Sequence, residues 1–193
     1  MLRIGLKPNI VSLLSILCAA VGGAAILFAH RVQPAWMIWL CAAACVQLRL
    51  FCNLMDGMLA VEGGLKSPTG ELFNELPDRI DDVLILVPLG YAGGSDWSIA
   101  LGWVAACGAV GTAYLRAFGA SLTGHNDFRG PMAKPHRMAA VTLICIAMAA
   151  LDLTKHAWSA EPWGLAVITA GIAITCWRRI LHLTGSLKHA ETP

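Results

Sequence analysis

Residues 53 to 82 decide the fold of this chain. They read Asn53-Leu-Met-Asp56-Gly57-Met-Leu-Ala60-Val61 and, after eight further residues, Gly70-Glu71-Leu-Phe-Asn74-Glu75-Leu-Pro77-Asp78-Arg79-Ile-Asp81-Asp82. This is the densest cluster of ionisable residues in a sequence that is otherwise mostly apolar. Its acidic residues recur every three or four residues, the spacing of one helix face, and they lie inside or at the edge of segments long enough to cross a bilayer. Because a carboxylate is costly in such a place, these residues need a structural or chemical reason to be there.

The composition of the whole chain predicts a polytopic membrane protein. Hydrophobic residues make up 57% of the 193 residues and charged residues only 13%, whereas about a quarter of the residues in a soluble domain are charged. The length fits one integral membrane domain over residues 1–193. The net charge of +2 is too small to suggest a nucleic-acid partner.

Six apolar segments predict an all-α fold with six transmembrane helices. They cover roughly residues 9–29, 34–54, 70–92, 97–121, 136–152 and 162–183. One side of this arrangement receives nine Lys and Arg residues: Arg3, Lys7, Lys66, Arg129, Lys134, Arg137, Arg178, Arg179 and Lys188. The other side receives Arg31 and Lys155. This bias predicts that both termini and the loops 55–69 and 122–135 face the cytoplasm. In a bacterium the membrane would be the inner, cytoplasmic membrane.

Six charged residues fall inside the predicted spans: Arg49, Asp78, Arg79, Asp81, Asp82 and Arg116. Facing lipid at mid-bilayer, six such groups would together cost about 15–20 kcal/mol, more than a domain's net stability. We therefore expect a hydrated pocket that opens to the cytoplasm and is sunk into the membrane. Arg79 and Asp82 are three residues apart and could pair along one helix. Arg116 needs an anionic partner, either one of the three aspartates or a substrate phosphate.

Helical spacing places the polar residues of the second and third spans on two stripes. The first stripe is Arg49, Asn53, Asp56 and Ala60, and the second is Gly70, Asn74, Asp78 and Asp82. We expect the two helices to pack antiparallel, with the stripes facing each other. Oxygen ligands from two facing helices suit a hard divalent cation such as Mg²⁺, Mn²⁺ or Ca²⁺. Small residues at 57, 60 and 70 let a bulky polar ligand approach the backbone.

A compact cationic group, Lys134, His136 and Arg137, lies between the fourth and fifth spans. It could bind a substrate phosphate, as could Arg116. The alternative for the group is a positive-inside anchor at the start of a helix. For Arg116 the alternative is a structural ion pair.

The central stretch resembles the signature of the CDP-alcohol phosphatidyltransferases, D-x2-D-G-x2-A-R-x8-G-x3-D-x3-D. The matching positions are Asn53, Asp56, Gly57, Ala60, Val61, Gly70, Asn74 and Asp78, and every spacing agrees. The segment Pro8-Asn9 also looks like the family's Pro-Asn start of its first helix. The resemblance implies six membrane spans, with the signature at the cytoplasmic ends of the second and third.

The resemblance also implies a function. Family members transfer a substituted phosphate from a CDP-linked lipid, such as CDP-diacylglycerol, to a small alcohol and release CMP. The signature carboxylates hold Mg²⁺ or Mn²⁺, and the last one, here Asp78, is the general base. Positions Gly57, Ala60 and Gly70 would contact the nucleotide. A homodimer surrounded by membrane lipids is expected.

The chain departs from the signature at three positions. Asn53 and Asn74 stand where the family has Asp, and Val61 stands where it has Arg. Asn ligates through its carbonyl oxygen but brings no charge, so we expect weaker metal binding or a single ion. Asp82, one turn beyond Asp78, could supply a third carboxylate, whereas Glu75 is less well placed by helical phase. An inactive relative that binds lipid or nucleotide and a small cation transporter are the two alternative functions.

Overall fold

The computed structural model describes the backbone of residues 8–61 and 70–190, and these residues contain helices and no strands. Side chains at 8–9, 56–57, 59–61, 70–71, 73–74 and 189–190 lie outside the described part. The long helices are α1 Pro8–Phe28, α2 Ala35–Val61, α3 Gly70–Ala92, α4 Asp96–Thr123, α5 Lys134–Leu153 and α6 Glu161–Ala190. A short 3₁₀ helix, Ala29–Arg31, follows α1. The predicted all-α fold is confirmed.

Local sequence accounts for several helix ends. The side chain of Ser95 caps the start of α4 by accepting a hydrogen bond from the backbone N–H of Ser98 at 3.1 Å. Gly124 ends this helix with a φ of 74°, a left-handed conformation that glycine adopts without steric cost. Pro135 lies in the first turn of α5, where a missing backbone N–H costs no helical hydrogen bond.

Five of the described helices are long and apolar enough to cross a membrane, namely α1, α2, α4, α5 and α6. The helix α3 is not among them because its first thirteen residues carry six charged side chains. Its second half is apolar and contributes Ile85, Leu86 and Leu89 to the core. Six spans and cytoplasmic termini therefore stay predictions.

The six long helices form a ring. The helix α1 packs against both α2 and α3, α2 packs against α5, α3 against α4, and α4 against α6. Lighter contact between α5 and α6 completes the ring. We expected α2 and α3 to pack directly on each other, but they touch only slightly, because α1 packs against both.

The two ends of the ring differ in character. At the end formed by the α1–α2 and α5–α6 links, His30 Nε2 lies 2.8 Å from Glu161 Oε1, and the backbone N–H of Trp36 donates to Asp152 Oδ2 at 2.8 Å. These contacts tie the two links together. The opposite end holds the residues of the signature and most of the other ionisable groups inside the ring.

The crossing of α3 and α4 depends on two glycines. A Cβ atom on Gly102 would lie 2.9 Å from the Cα of Gly90 and 2.9 Å from the carbonyl oxygen of Leu86. Both neighbours belong to backbone, so a side chain would force the helices apart. Small residues allow this close approach between helices, as is common in membrane proteins.

We expect Gly102→Ala to destabilise the protein by about 1–3 kcal/mol, because the added methyl group overpacks the crossing. The matched control is Gly111→Ala in the same helix, where an added Cβ meets no atom within 4 Å. Both substitutions gain the same helix propensity, so their difference reports the crossing alone. Thermal unfolding in detergent measures it, and equal unfolding temperatures for the two variants would contradict the role given to Gly102.

Candidate active site

Asn53 on α2 and Asp78 on α3 meet inside the ring. The side-chain amide Nδ2 of Asn53 donates a hydrogen bond of 2.8 Å to Asp78 Oδ1. Asp78 is only 4% exposed. The two polar stripes therefore face each other at this pair, as their helical phase predicted.

Three cations lie around the Asp78 carboxylate. Lys134, the first residue of α5, forms an ion pair with Oδ2. The guanidinium of Arg79 lies 3.6 Å from the same oxygen. On the other side, Nη2 of Arg49 lies 3.7 Å from Oδ1. Oδ1 thus has an amide and a guanidinium as neighbours, and Oδ2 has Lys134 and Arg79.

Asp78 lies in the wall of a cavity of about 330 Å³. Its described wall carries two acidic side chains, Glu75 and Asp78, and five basic ones, Arg79, Arg116, Lys134, Arg137 and Arg179. This excess of positive charge fits an anionic ligand with several charges, such as a substrate that carries phosphate groups.

Arg116 reaches Glu75 rather than an aspartate. Its Nη2 pairs with Glu75 Oε1, and its guanidinium lies 5.5 Å from the ring centre of Phe128 in the α4–α5 loop. Arg79 also contacts Glu75, with Nη2 at 3.4 Å from Oε2. The expected Arg79–Asp82 pair is therefore wrong, because Arg79 turns toward the cavity and Asp82 turns away from it.

Asp81 and Asp82 belong to a buried ion network beside the cavity. Arg49 is fully buried, donates from Nε to Asp81 Oδ2 at 2.8 Å, and lies 3.6 Å from Asp82 Oδ1. Arg137 donates from Nη2 to Asp82 Oδ2 at 2.6 Å. Both aspartates are 0% exposed. Asp82, expected as an additional metal ligand, is thus held by two arginines, and this placement argues against that role.

The predicted cationic group divides into three different environments. Lys134 pairs with Asp78, and Arg137 is 1% exposed and pairs with Asp82. His136 is exposed and is absent from the described cavity wall. Arg137 therefore serves the buried network as well as the cavity wall, and it is not a simple surface anchor.

Part of the signature cannot be placed at the level of side chains. The backbone of α2 includes Asp56, Gly57 and Ala60, and that of α3 begins at Gly70 and includes Asn74. The side chains at these five positions lie outside the described residues. Their metal and nucleotide contacts therefore stay predictions.

One described atom near Asp78 suits a divalent cation. The carbonyl oxygen Oδ1 of Asn53 is buried and has no hydrogen-bond partner, because the amide orients its Nδ2 toward Asp78. A carbonyl oxygen beside a carboxylate is the donor chemistry that Mg²⁺ and Mn²⁺ prefer. Within residues whose side chains are described, no group of three His, Cys, Asp or Glu could hold a metal ion. Asn53 Oδ1 and the Asp78 carboxylate therefore fit two ligands of a Mg²⁺ or Mn²⁺ site.

Sequence reasoning missed two side chains of the cavity wall, Glu75 and Arg179. The sequence places Arg179 only among the positive charges of one membrane side, but its side chain is 6% exposed and donates from Nε to the carbonyl of Arg129 at 3.0 Å. It continues the buried stripe of α6, which is Leu165, Ile168, Ile172 and Thr175. Extending that helical stripe by one turn could have found it.

The interior beyond the cavity is apolar. Side chains that fill it include Trp39, Ile85, Leu89, Met138 and Ile168, all 0% exposed. A cation transporter needs polar groups along a path to the far side. In the described part of the chain, the packed apolar core gives no such path, which argues against this alternative.

We expect Arg137→Met to destabilise the protein by about 3–5 kcal/mol, because it leaves the buried carboxylate of Asp82 without its closest partner. Arg178→Met, on the exposed face of α6, removes the same charge and should leave stability nearly unchanged. Thermal unfolding in detergent compares the two variants. A loss no larger than that of Arg178→Met would show that the buried pair does not stabilise the ring.

Comparison with known proteins agrees with this fold. The crystal structure of phosphatidylinositol phosphate synthase from Mycobacterium tuberculosis with CDP-DAG bound superimposes with a TM-score of 0.74 at 18% identity, covering 94% of this chain and 88% of that one. The same enzyme in complex with manganese and citrate gives 0.75 at 18% identity, with 94% and 84% covered. At such low identity the likeness shows the fold alone.

Sequence comparison gives the family. The chain is 37% identical over 112 residues to the bifunctional IPC transferase and DIPP synthase of Rubrobacter xylanophilus. The match covers 58% of this chain and 24% of that relative, so it spans about a quarter of the relative's length. The family model for CDP-alcohol phosphatidyltransferase matches residues 6–182. The chain therefore belongs to the CDP-alcohol phosphatidyltransferase family.

Proposed function

We propose that this protein is a membrane enzyme that moves a substituted phosphate from a CDP-linked lipid, such as CDP-diacylglycerol, to an alcohol and releases CMP. One observation carries the proposal. Asn53 and Asp78, from the two halves of the family signature, meet in a cavity whose wall carries five basic side chains. This arrangement suits a substrate with a pyrophosphate group and an acceptor that must lose a proton.

The basic residues would hold the phosphates of the donor. Lys134 and Arg116 are partly exposed to the cavity, at 24% and 22% of their side chains. Arg179 is buried and bonded to backbone carbonyls, and no ion pair with a carboxylate is found for it in the described residues. Cationic groups placed around the phosphates stabilise the charge that develops as the bond to CMP breaks.

Asn53 Oδ1 and the carboxylate of Asp78 would hold a Mg²⁺ or Mn²⁺ ion, together with the predicted ligands Asp56 and Asn74. When bound, the ion would neutralise charge on the pyrophosphate and so assist the departure of CMP. Asp82 is left out of this set because it is 0% exposed and, unlike Asp78, is not part of the described cavity wall.

Asp78 would act as the general base. It would take the proton of the acceptor hydroxyl as that oxygen bonds to the lipid-side phosphorus, and the bond from this phosphorus to the CMP oxygen breaks. Because Lys134 pairs with Oδ2 of Asp78, it must first release that oxygen. We expect it to move to a substrate phosphate, which exchanges one anionic partner for another.

The lipid part of the donor explains why the site lies inside a membrane protein. The cavity would receive the polar headgroup while the acyl chains stay in the bilayer. The Lys and Arg bias supports a cytoplasmic membrane location with the site facing the cytoplasm. The homodimer stays a prediction from the family resemblance.

We expect purified protein with Mg²⁺ or Mn²⁺, CDP-diacylglycerol and a panel of alcohols to release CMP. Asp78→Asn should reduce the rate by about 10²–10⁴-fold, because it removes the base. The control is Asp96→Asn, at the exposed start of α4, which should keep full activity. No CMP release with any acceptor would favour the alternative that this protein is an inactive relative. Full activity of Asp78→Asn would exclude Asp78 as the base.

We expect Asn53→Asp to strengthen metal binding, and the unfolding temperature with and without metal measures this effect. With EDTA, the new carboxylate would face Asp78 and lower the unfolding temperature through like-charge repulsion. With Mn²⁺, the added charge should strengthen binding, so the unfolding temperature should rise by more than in the wild type. Asn126→Asp, in the exposed α4–α5 loop, is the control. An unchanged response to Mn²⁺ would contradict the assignment of position 53 to the metal.

A further inference from the structure

We propose that Arg49 is a positioning residue for the general base, and that it holds Asp78 so that the Oδ2 atom faces the cavity. Arg49 is fully buried and is absent from the described cavity wall. It would therefore act on the proposed reaction, on which this inference rests, without touching the substrate. This role is separate from the pairing of buried charges, because it consists of a direct hold on the backbone and the side chain of Asp78.

The guanidinium of Arg49 contacts Asp78 at two points. Its Nη2 donates to the backbone carbonyl of Asp78 at 3.4 Å, and the same nitrogen lies 3.7 Å from Asp78 Oδ1. Its Nε donates to Asp81 Oδ2 at 2.8 Å. Because the guanidinium is planar and its donors point in fixed directions, the bond from Nε to Asp81 sets where Nη2 lies. Asp81 thus orients Arg49, and Arg49 in turn contacts Asp78.

These contacts leave one oxygen of the Asp78 carboxylate on the cavity side. Oδ1 accepts a hydrogen bond of 2.8 Å from Asn53 Nδ2 and has Arg49 as its second neighbour, and both of these residues belong to α2. Oδ2 pairs with Lys134, which lines the cavity. Because Oδ1 is held from α2, the carboxylate cannot turn freely. A base must lie within hydrogen-bond reach of the proton that it takes, so this orientation contributes to the rate.

The backbone of α3 needs support at this point. Pro77 lies inside the helix just before Asp78, and it has no backbone N–H, so the helix lacks one hydrogen bond there. The carbonyl oxygen of Asp78 has two lone pairs and can accept from Arg49 in addition to its helical partner. Since α2 and α3 otherwise touch only slightly, this bond ties the two helices together next to the base.

The alternative role for Arg49 is that of a buried counterion for Asp81. Among the side chains that the structure describes, Arg49 is the one cation paired with Asp81. Arg49→Met by itself would leave that carboxylate buried without a partner and would destabilise the fold under either role. A test must therefore neutralise Asp81 together with Arg49.

The test compares Asp81→Asn with the double variant Arg49→Met/Asp81→Asn, each as the full chain in detergent. CMP release from CDP-diacylglycerol gives kcat and KM. Asp81→Asn keeps Arg49 and offers an amide oxygen to its Nε, so kcat should stay within about threefold of the wild type. The double variant should lose about 100-fold in kcat, the effect of misplacing a catalytic group by about 1 Å, while KM for CDP-diacylglycerol stays within about threefold.

Hydrogen exchange gives a readout that does not depend on catalysis. We expect peptides that cover residues 78–84 to exchange at least about threefold faster in the double variant than in Asp81→Asn, because α3 loses its tie to α2 after Pro77. Peptides that cover residues 165–172 of α6 serve as the control and should exchange equally in both variants.

Three results would overturn the proposal: equal kcat in the two variants, a rise in KM with kcat unchanged, or equal exchange of residues 78–84. Unfolding temperatures show whether each variant is folded. If the double variant does not fold, Arg49→Lys decides. Its ammonium keeps a charge beside Asp81 but cannot also hold the carbonyl of Asp78, so kcat should fall about tenfold, and a wild-type kcat would overturn the proposal.

Failure of the proposed function gives a different result. In that case the wild type itself releases no CMP with any acceptor. The exchange comparison then still decides whether Arg49 holds the backbone at Asp78. Conversely, an active wild type with equal kcat in the two variants would keep the function and remove the positioning role of Arg49.

Discussion

The compensation of buried charge is the constraint on which the rest of this structure depends. Arg49 has no exposed surface, and its guanidinium is shared among aspartates of α3, with Asp81 at 2.8 Å and Asp82 at 3.6 Å. An unpaired charge at such a position would cost several kcal/mol. The ring of helices satisfies this requirement because it brings α2, α3 and α5 around one polar interior, where Arg137 completes the pairing.

The same constraint separates structural from reactive groups along one helix. Asp81 and Asp82 point into the ring and are held by arginines, whereas Asp78, one turn earlier, borders the cavity. The buried pairs hold α3 in place, and this fixes the position of Asp78 relative to Asn53 and Lys134. A site that must handle phosphate charge next to an apolar core needs this kind of support, because its groups cannot be held by solvent.

The parts of the site that depend on local spacing could be predicted from the sequence. Helical spacing predicted that Asn53 and Asp78 face each other, and the cost of burying charge predicted a polar interior. The parts that depend on side-chain reach could not be predicted. Arg116 pairs with Glu75, which helical phase alone had set aside, because two long side chains can meet from positions that lie off the main stripe. Arg179 faces the interior for a different reason: the buried face of α6 extends one turn further than the sequence reading assumed.

By itself the sequence determined the helical class, the membrane character and the family, because hydrophobic runs and the spacing of the signature are properties of the chain read in order. Only the tertiary structure decided which charges pair with each other, that α1 packs against both α2 and α3, and that Asp82 belongs to the buried network. These depend on which helices become neighbours in the ring and on how far each side chain extends. Residues distant in the sequence, such as Asp82 and Arg137, are brought to 2.6 Å by that packing alone.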